Sequence, residues 1–541
     1  MAKVKKQGFQ KVQKFLDKWL ELGLTIIAGA VLIGVAAYVM HIGFSYYWYM
    51  MHSDVVGDLS FVREARYQRS LFPYGWPHLQ EMRFVHITTI ILPFYIITNN
   101  IHLSYPLAVS FMIVVNMLLF YFMLSYRKRK LLPIFVGFTV VLIVFSRYAM
   151  FSVFSVLFVN GSLALSMSTI FVTIGVYMRI KSGEKYGRVA TIAMWVLVPL
   201  LAFLQGIQSN RMLIALYLPL LIIECYPLVV RILQDKGFDY KKTDKSILFV
   251  ILCAVCNLLG IALIISLIRR EVVLVEYTLV TTSLHMVNHR GLWDQFERFV
   301  VEILLAFGLQ SGVEVYSMAG VAYFGRIALV AIMAIIVRKT TAKESEDGII
   351  RSILFTSLCA LSIAMVVTFT GVGERFIFTI IMMLGVMAVI CFDYFVENKR
   401  KMLTVMAYIV VFVMVVISVR TLDMPRDESL RADRQRIADF IVENNFVVGY
   451  GPFWQGPVVA AFADLEFDVI YLSAGTFRTR PHAIPMERYN HDEDRVFLIL
   501  TSWQVGNVMN NDHQRAILES GTRHDFPGGW IVFTFEHNPF R

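Results

Sequence analysis

Residues 24–58 read LTIIAGAVLIGVAAYVMHIGFSYYWYMMHSDVVGD, an apolar run from Leu24 to Tyr49 that ends in His52-Ser53-Asp54-Val55-Val56-Gly57-Asp58. The run exceeds the roughly 20 residues needed to cross a bilayer core. Basic residues precede it and no small-residue cleavage pattern follows, so it reads as a retained span and not as a signal peptide. The polar stretch after it is too charged to lie in lipid, and it carries Glu81-Met82-Arg83 just before the chain turns apolar again. Carboxylates at the point where a span leaves the bilayer are placed to act on a substrate that is itself anchored in lipid.

The pattern recurs along the chain. Of 541 residues, 57% are hydrophobic and 17% charged, and the mean hydropathy is +0.62. That balance excludes a soluble protein and predicts a polytopic α-helical membrane protein. Apolar runs at 24–49, 105–126, 131–147, 155–179, 188–204, 212–231, 246–268, 319–337, 351–370, 375–393 and 402–419 predict about eleven transmembrane helices.

Lysine placement predicts the topology. Lysines occur from Lys3 to Lys18, at Lys128 and Lys130, at Lys181 and Lys185, from Lys236 to Lys245, at Lys339 and Lys343, and at Lys399 and Lys401, and nowhere else. Each cluster lies at the N-terminus or in a short polar gap between apolar runs, so those segments are expected to be cytoplasmic. The expected arrangement is a multi-pass plasma-membrane protein with a cytoplasmic N-terminus and an extracytoplasmic C-terminal domain. The net charge of +10 is then a membrane-topology signal and points to no nucleic acid. The five cysteines (Cys225, Cys253, Cys256, Cys359 and Cys391) all fall in apolar runs, as small buried hydrophobes do.

Phe84 to Ile97 is apolar but short. If it crossed the bilayer, Arg127-Lys128-Arg129-Lys130 would lie outside, against the lysine rule, so it is expected to be a re-entrant or juxtamembrane helix in the first outer loop. The chain then divides into a transmembrane domain, 1–419, with outer loops at 50–104 and 269–318, and a small exported α/β domain, 420–541. Within the second loop, Trp293 to Phe307 has the spacing of an amphipathic helix. In the tail, Arg431 to Glu443 reads as a helix. Phe446 to Tyr450, Phe467 to Leu472, Val496 to Thr501 and Trp530 to Phe535 read as strands.

Asp54, Asp58 and Glu81 are the candidate catalytic acids. Glycosyl transfer from a lipid phosphate needs a base for the acceptor hydroxyl, and a carboxylate at the membrane face can serve. Asp54 and Asp58 stand at i, i+4, so on a helix they would share a face. Arg83, Arg147, Arg211 and Arg375 sit at expected outer span ends, where a guanidinium can hold a lipid-linked phosphate through two parallel hydrogen bonds. Each could equally be an interfacial anchor. Arg326 lies well inside a span, where an ion is paired or functional. His52, His78, His86, His285 and His289 cluster in the two main outer loops without close ligand spacing, so no metal ligands are assigned. The chain has no GxxxxGK[ST], GxSxG or HExxH.

The arrangement resembles the GT-C superfamily of integral-membrane glycosyltransferases, which use polyprenyl-phosphate-linked sugars. Ser53-Asp54-x-x-x-Asp58, Leu71-Phe72-Pro73-x-x-Trp76 and Glu81-Met82-Arg83 are similar to a pattern in members from Gram-positive bacteria. So are Gly206-x-x-x-x-Arg211 and Gly449-Tyr450-Gly451-x-Phe453-Trp454. The resemblance spans essentially the whole chain, although each motif is short.

It implies that Asp54 is the general base or acceptor-positioning acid, that Glu81 orients donor or acceptor, and that Arg375 holds the donor phosphate, with Arg211 and Arg83 as further candidates. A divalent cation, Mg or Mn, serves some members. This chain has Arg147-Tyr148 where an acid pair would stand in its second outer loop. The expected reaction is inverting transfer of a sugar from a polyprenyl-phosphate donor to an extracytoplasmic glycan, lipid-linked glycan or protein. The alternatives are a polysaccharide polymerase or ligase, centred on His285, His289 and Arg290, and a lipid-linked glycan flippase. Acids are scarce inside the spans, which argues against proton-coupled transport.

Overall fold

A computed structural model describes residues 2–49, 51–77, 82–83, 85–126, 129–144, 161–184, 186–233, 245–270, 289–307, 312, 314–340, 345–367, 378–398, 400–422, 427–473, 476–479 and 484–540. Glu81, Arg147 and Arg375 lie outside the described residues, as do His78 and His285.

Over the described residues, each predicted span overlaps a helix. Among the described residues, eight helices are long and apolar enough to cross a membrane, and Thr88–Thr98, Leu131–Val144 and Leu213–Pro227 are shorter apolar helices. The first helix, α1, runs Ala2–Ser45. The polar loop after it opens with a helix not anticipated from its mixed pattern, α2 (Ser53–Tyr67), which buries eleven of its fifteen residues. Burial on nearly all sides hides the usual one-faced signature of an amphipathic helix.

The short apolar stretch becomes α3 (Thr88–Thr98). Eleven residues rise only about 16 Å, half of a hydrocarbon core, so α3 cannot cross. The chain reverses at Asn99, in the left-handed region at φ 54°. Asn100 then caps α4 (Ile101–Leu124) by accepting from the Leu103 N–H at 2.9 Å. A hydroxyl contact between Thr98 and Ser104 at 2.8 Å closes the corner. Helix α3 therefore folds back along α4, as the lysine rule required.

The lysine-bearing gaps meet on one face. Lys130 pairs with Glu21 at 2.6 Å. Lys18, Lys130 and Lys401 line a single cavity of about 350 Å³. Arg129 joins Asp347 and Asp393. Lys181 shares Glu224 with Ser246. At the opposite end lie α2, the 82–87 segment and the C-terminal domain.

Small residues set one packing that matters for the site. Helices Arg188–Gln208 and Lys245–Arg269 touch backbone to backbone: a Cβ on Gly206 would sit 2.0 Å from the Asn257 carbonyl oxygen, and one on Gly260 would sit 2.2 Å from that of Phe203. Asn257 also donates to the Ala202 carbonyl at 2.8 Å. Such close approach is how helices associate where lipid removes the hydrophobic drive. Arg326 is 1% exposed and donates to the Val144 carbonyl at 2.8 Å, the Phe307 carbonyl at 3.2 Å and Ser418 Oγ at 3.2 Å.

The C-terminal domain is a five-stranded sheet in the order β2-β1-β3-β5-β4. The strands are β1 (Val448–Gly451), β2 (Asp468–Tyr471), β3 (Val496–Thr501), β4 (Thr522–Phe526) and β5 (Trp530–Phe535). Strand β1 pairs in parallel with β2 and β3, and β5 pairs antiparallel with β3 and β4. Four strands match the apolar runs, while β4 was not foreseen. Its sequence, Thr522-Arg523-His524-Asp525-Phe526, is polar because it is an edge strand, and edges carry charge that deters pairing with other chains. The expected helix is Glu428–Glu443, and the amphipathic helix of the second loop is His289–Ala306.

Candidate active site in the first loop

The site is built at the start of α2. His52 caps the helix, its Nδ1 accepting from the Asp54 N–H at 3.2 Å. Asp54 falls in the first turn, and Asp58 one turn later on the same side. Their surroundings differ. The Asp58 side chain is 6% exposed, and its Oδ1 accepts from Arg83 Nε at 3.0 Å. His86 Nδ1 lies 3.8 Å from the same oxygen. The Asp54 carboxyl is 36% exposed and has His52 Nδ1 at 3.8 Å. One acid of the pair is neutralised and buried; the other faces solvent at the rim.

Arg83 is held between the rings of Phe61 and Trp76, its guanidinium 5.4 and 5.9 Å from their centroids. The Arg83 expected to bind phosphate is thus a buried partner of Asp58. Gln208, at the end of its helix, holds the segment that carries Arg83. Its carbonyl accepts from the Met82 N–H at 3.2 Å, and its side-chain Oε1 accepts from the Val85 N–H at 3.2 Å. Arg211, half-buried, stands three residues beyond Gln208 and so at the same corner. Gly206, two residues before Gln208, lets this helix end pack against the Asn257 backbone of the Lys245–Arg269 helix.

The structure therefore gathers Asp54, Asp58, Arg83 and His86. Further buried residues lie close to this cluster. Tyr105 is fully buried within electrostatic reach of Asp58, Tyr47 and Asp54. The Tyr47 hydroxyl is 2.9 Å from His102 Nδ1, and His102 Nε2 is 3.1 Å from Asp464 of the C-terminal domain. Burial, aided by Asp464, pushes the Tyr47 phenol well above its ordinary range. The one available signal was the pair Gln205 and Gln208, polar residues in an apolar helix end. Among the described residues, no group of three or more His, Cys, Asp or Glu is arranged to hold a metal ion.

The C-terminal domain grips the same loop. Ser53 Oγ donates to the Phe453 carbonyl, and Arg434 donates to the Met51 carbonyl at 3.4 Å. Farther along α2, Arg488 bridges Glu64 at 2.8 Å and Asp468 at 2.7 Å, and Arg63 reaches Asp468 at 3.0 Å.

The chain aligns with the crystal structure of ArnT from Cupriavidus metallidurans bound to undecaprenyl phosphate, with a TM-score of 0.52 over 94% of this chain and 98% of that one. The chain shares the fold of that structure. At 10% identity the likeness is one of architecture. No protein-family model and no curated protein matches the sequence.

Proposed function

We propose that this protein is a GT-C glycosyltransferase that moves a sugar from a polyprenyl-phosphate carrier to an extracytoplasmic acceptor with inversion. The observation that carries this reading is the unequal treatment of two acids one turn apart. Asp58 is committed to Arg83, whereas Asp54 stands at the rim with its carboxylate open to a substrate. Likeness to a fold that holds undecaprenyl phosphate in ArnT supports a polyprenyl-phosphate donor.

In this mechanism Asp54 takes the proton of the acceptor hydroxyl as its oxygen attacks the anomeric carbon. The bond from that carbon to the phosphate oxygen breaks on the opposite side, which inverts the configuration. Polyprenyl phosphate leaves with the bonding pair. Arg375, with Arg211 and Arg147 as further candidates, is the cation proposed to stabilise that charge. Arg83 acts indirectly, by holding Asp58 and the 82–87 segment. Glu81 remains a candidate for orienting donor or acceptor.

The test is Asp54→Asn in a strain whose own copy is deleted, with envelope glycans read by mass spectrometry. Loss of the added sugar, with normal protein level and melting temperature, is expected. Near-normal product would remove the base assignment.

A further inference from the structure

At the end of the molecule opposite α2, the lysine-bearing face carries a cavity that glycosyl transfer leaves unused. It measures about 350 Å³ and lies among α1, the start of the Leu131–Val144 helix and the junction between the Phe378–Glu397 and Lys401–Thr421 helices. That size falls within the roughly 300–1,000 Å³ of ligand pockets. Leu20, Leu24 and Leu132 give it apolar walls. Lys18, Lys130 and Lys401 bring three cations to it, against the two carboxylates of Glu21 and Glu397.

The backbone adds to the positive side. Two helices begin at the cavity, with Lys130 and Arg400 as their N-cap residues, and neither side chain caps its helix. First-turn N–H groups have no partner within a helix and carry partial positive charge. The Phe378–Glu397 helix ends there with the opposite sign. Its Tyr394 and Phe395 carbonyls, however, accept from the Asn398 and Arg400 N–H groups at 3.1 and 2.9 Å.

A lysine at a span end ordinarily reaches outward to water. Here three lysines from separate elements line one hollow with apolar walls, so the charge faces a place where an ester-linked anion fits better than a hydrated one. The surface leading away from it is also apolar. Ile27, on the same side of α1 as Leu24, is 51% exposed. One turn along from Thr404, which lines the cavity, the Tyr408 hydroxyl is buried and makes no hydrogen bond among the described residues. Ester oxygens that follow a lipid phosphate into the bilayer are acceptors at that depth. Basic pockets between spans on the cytoplasmic side recognise anionic lipid headgroups in this way.

We propose that this cavity binds the headgroup of an anionic phospholipid from the leaflet on the lysine side. Its phosphodiester sits among Lys18, Lys130 and Lys401, and a headgroup hydroxyl donates to Glu397. The lipid is bound intact, and no bond is made or broken.

The experiment uses the full chain in nanodiscs of dioleoylphosphatidylcholine doped with rising mole fractions of dioleoylphosphatidylglycerol, with the melting temperature as readout. Wild type should gain stability along a saturating curve. Lys18→Gln and Lys401→Gln should each raise the half-saturating mole fraction by about fivefold, near the share of one lysine beside an anionic leaflet. Leu20→Trp narrows the cavity without changing its charge, at a residue already 42% exposed, and should raise the midpoint at least as much. Lys339→Gln, at an exposed lysine outside the cavity, should leave it unchanged. Inorganic phosphate and glycerophosphoglycerol added to pure phosphatidylcholine discs should not reproduce the gain. A gain that never saturates, or that Lys339→Gln weakens as much as Lys18→Gln does, overturns the site in favour of a general surface field. Equal stabilisation by inorganic phosphate overturns the lipid as occupant, and a wild-type response from Leu20→Trp overturns the cavity as its place.

Discussion

Removing one partner of the Asp58–Arg83 pair should damage the site more than removing both. The two side chains are 6% and 9% exposed, with Nε and Oδ1 3.0 Å apart. At an effective dielectric of about 20, two unit charges at that distance attract by about 5 kcal/mol. Desolvating each ion costs several kcal/mol, so the net worth of the pair against an apolar replacement is near zero. A lone buried charge keeps the desolvation cost and loses the attraction, which destabilises by about 3–5 kcal/mol. Asp58→Asn and Arg83→Met should therefore each lower the melting temperature in detergent and speed hydrogen exchange of the 82–87 segment. The double variant should recover much of the loss, with a coupling energy of roughly 2 kcal/mol or more. Single variants that melt like wild type, or a double variant whose loss is the plain sum, would refute the account of a dry, mutually dependent pair.

Other outcomes follow from specific contacts. Gly206→Ala places a Cβ 2.0 Å from a backbone oxygen that cannot swing away, so a loss of about 1–3 kcal/mol is expected in thermal melts. Gly34→Ala, with nothing within 4 Å, should be neutral or mildly stabilising by the same assay. Arg488→Met strands the carboxylate of Glu64, which is 6% exposed, and should raise hydrogen exchange across α2, whereas Arg523→Met, on a surface pair within the domain, should not. Asp427 caps the Glu428–Glu443 helix, and the Ser429 hydroxyl, then the Leu430 N–H, holds its carboxyl below the ordinary 3.8. A lowered folded-state value stabilises above the ordinary one and is lost as pH falls through it. The stability gap between wild type and Asp427→Ala should therefore be full at pH 6 and shrink below about pH 4.

Much of this protein was legible residue by residue. Apolar run length sets where helices can span, because an unpaired backbone is too costly in lipid, and lysine placement marks which ends share a face. Both are local properties, and the spans and the convergence of the lysine gaps follow them. The short stretch before Asn99 was readable from its length together with the basic cluster that follows the next span. The strands β1 and β3 were legible as continuous apolar runs because parallel, buried strands have no polar face. Strand β4 was not, since an edge strand is shaped by what it must avoid.

The candidate site divides along the same line. Sequence marked Asp54 and Asp58 together, at i, i+4, and could not tell them apart. Their difference comes from partners 25 or more residues away: Arg83 and the Gln208 clamp behind it. The same holds for Phe453, part of a motif until a tertiary contact sets its carbonyl on Ser53. Residue types and their local spacing determined that this chain spans a membrane and carries acids at its surface. Which acid is spent and which is open was decided only by the fold, because burial and ion pairing are properties of neighbours in space.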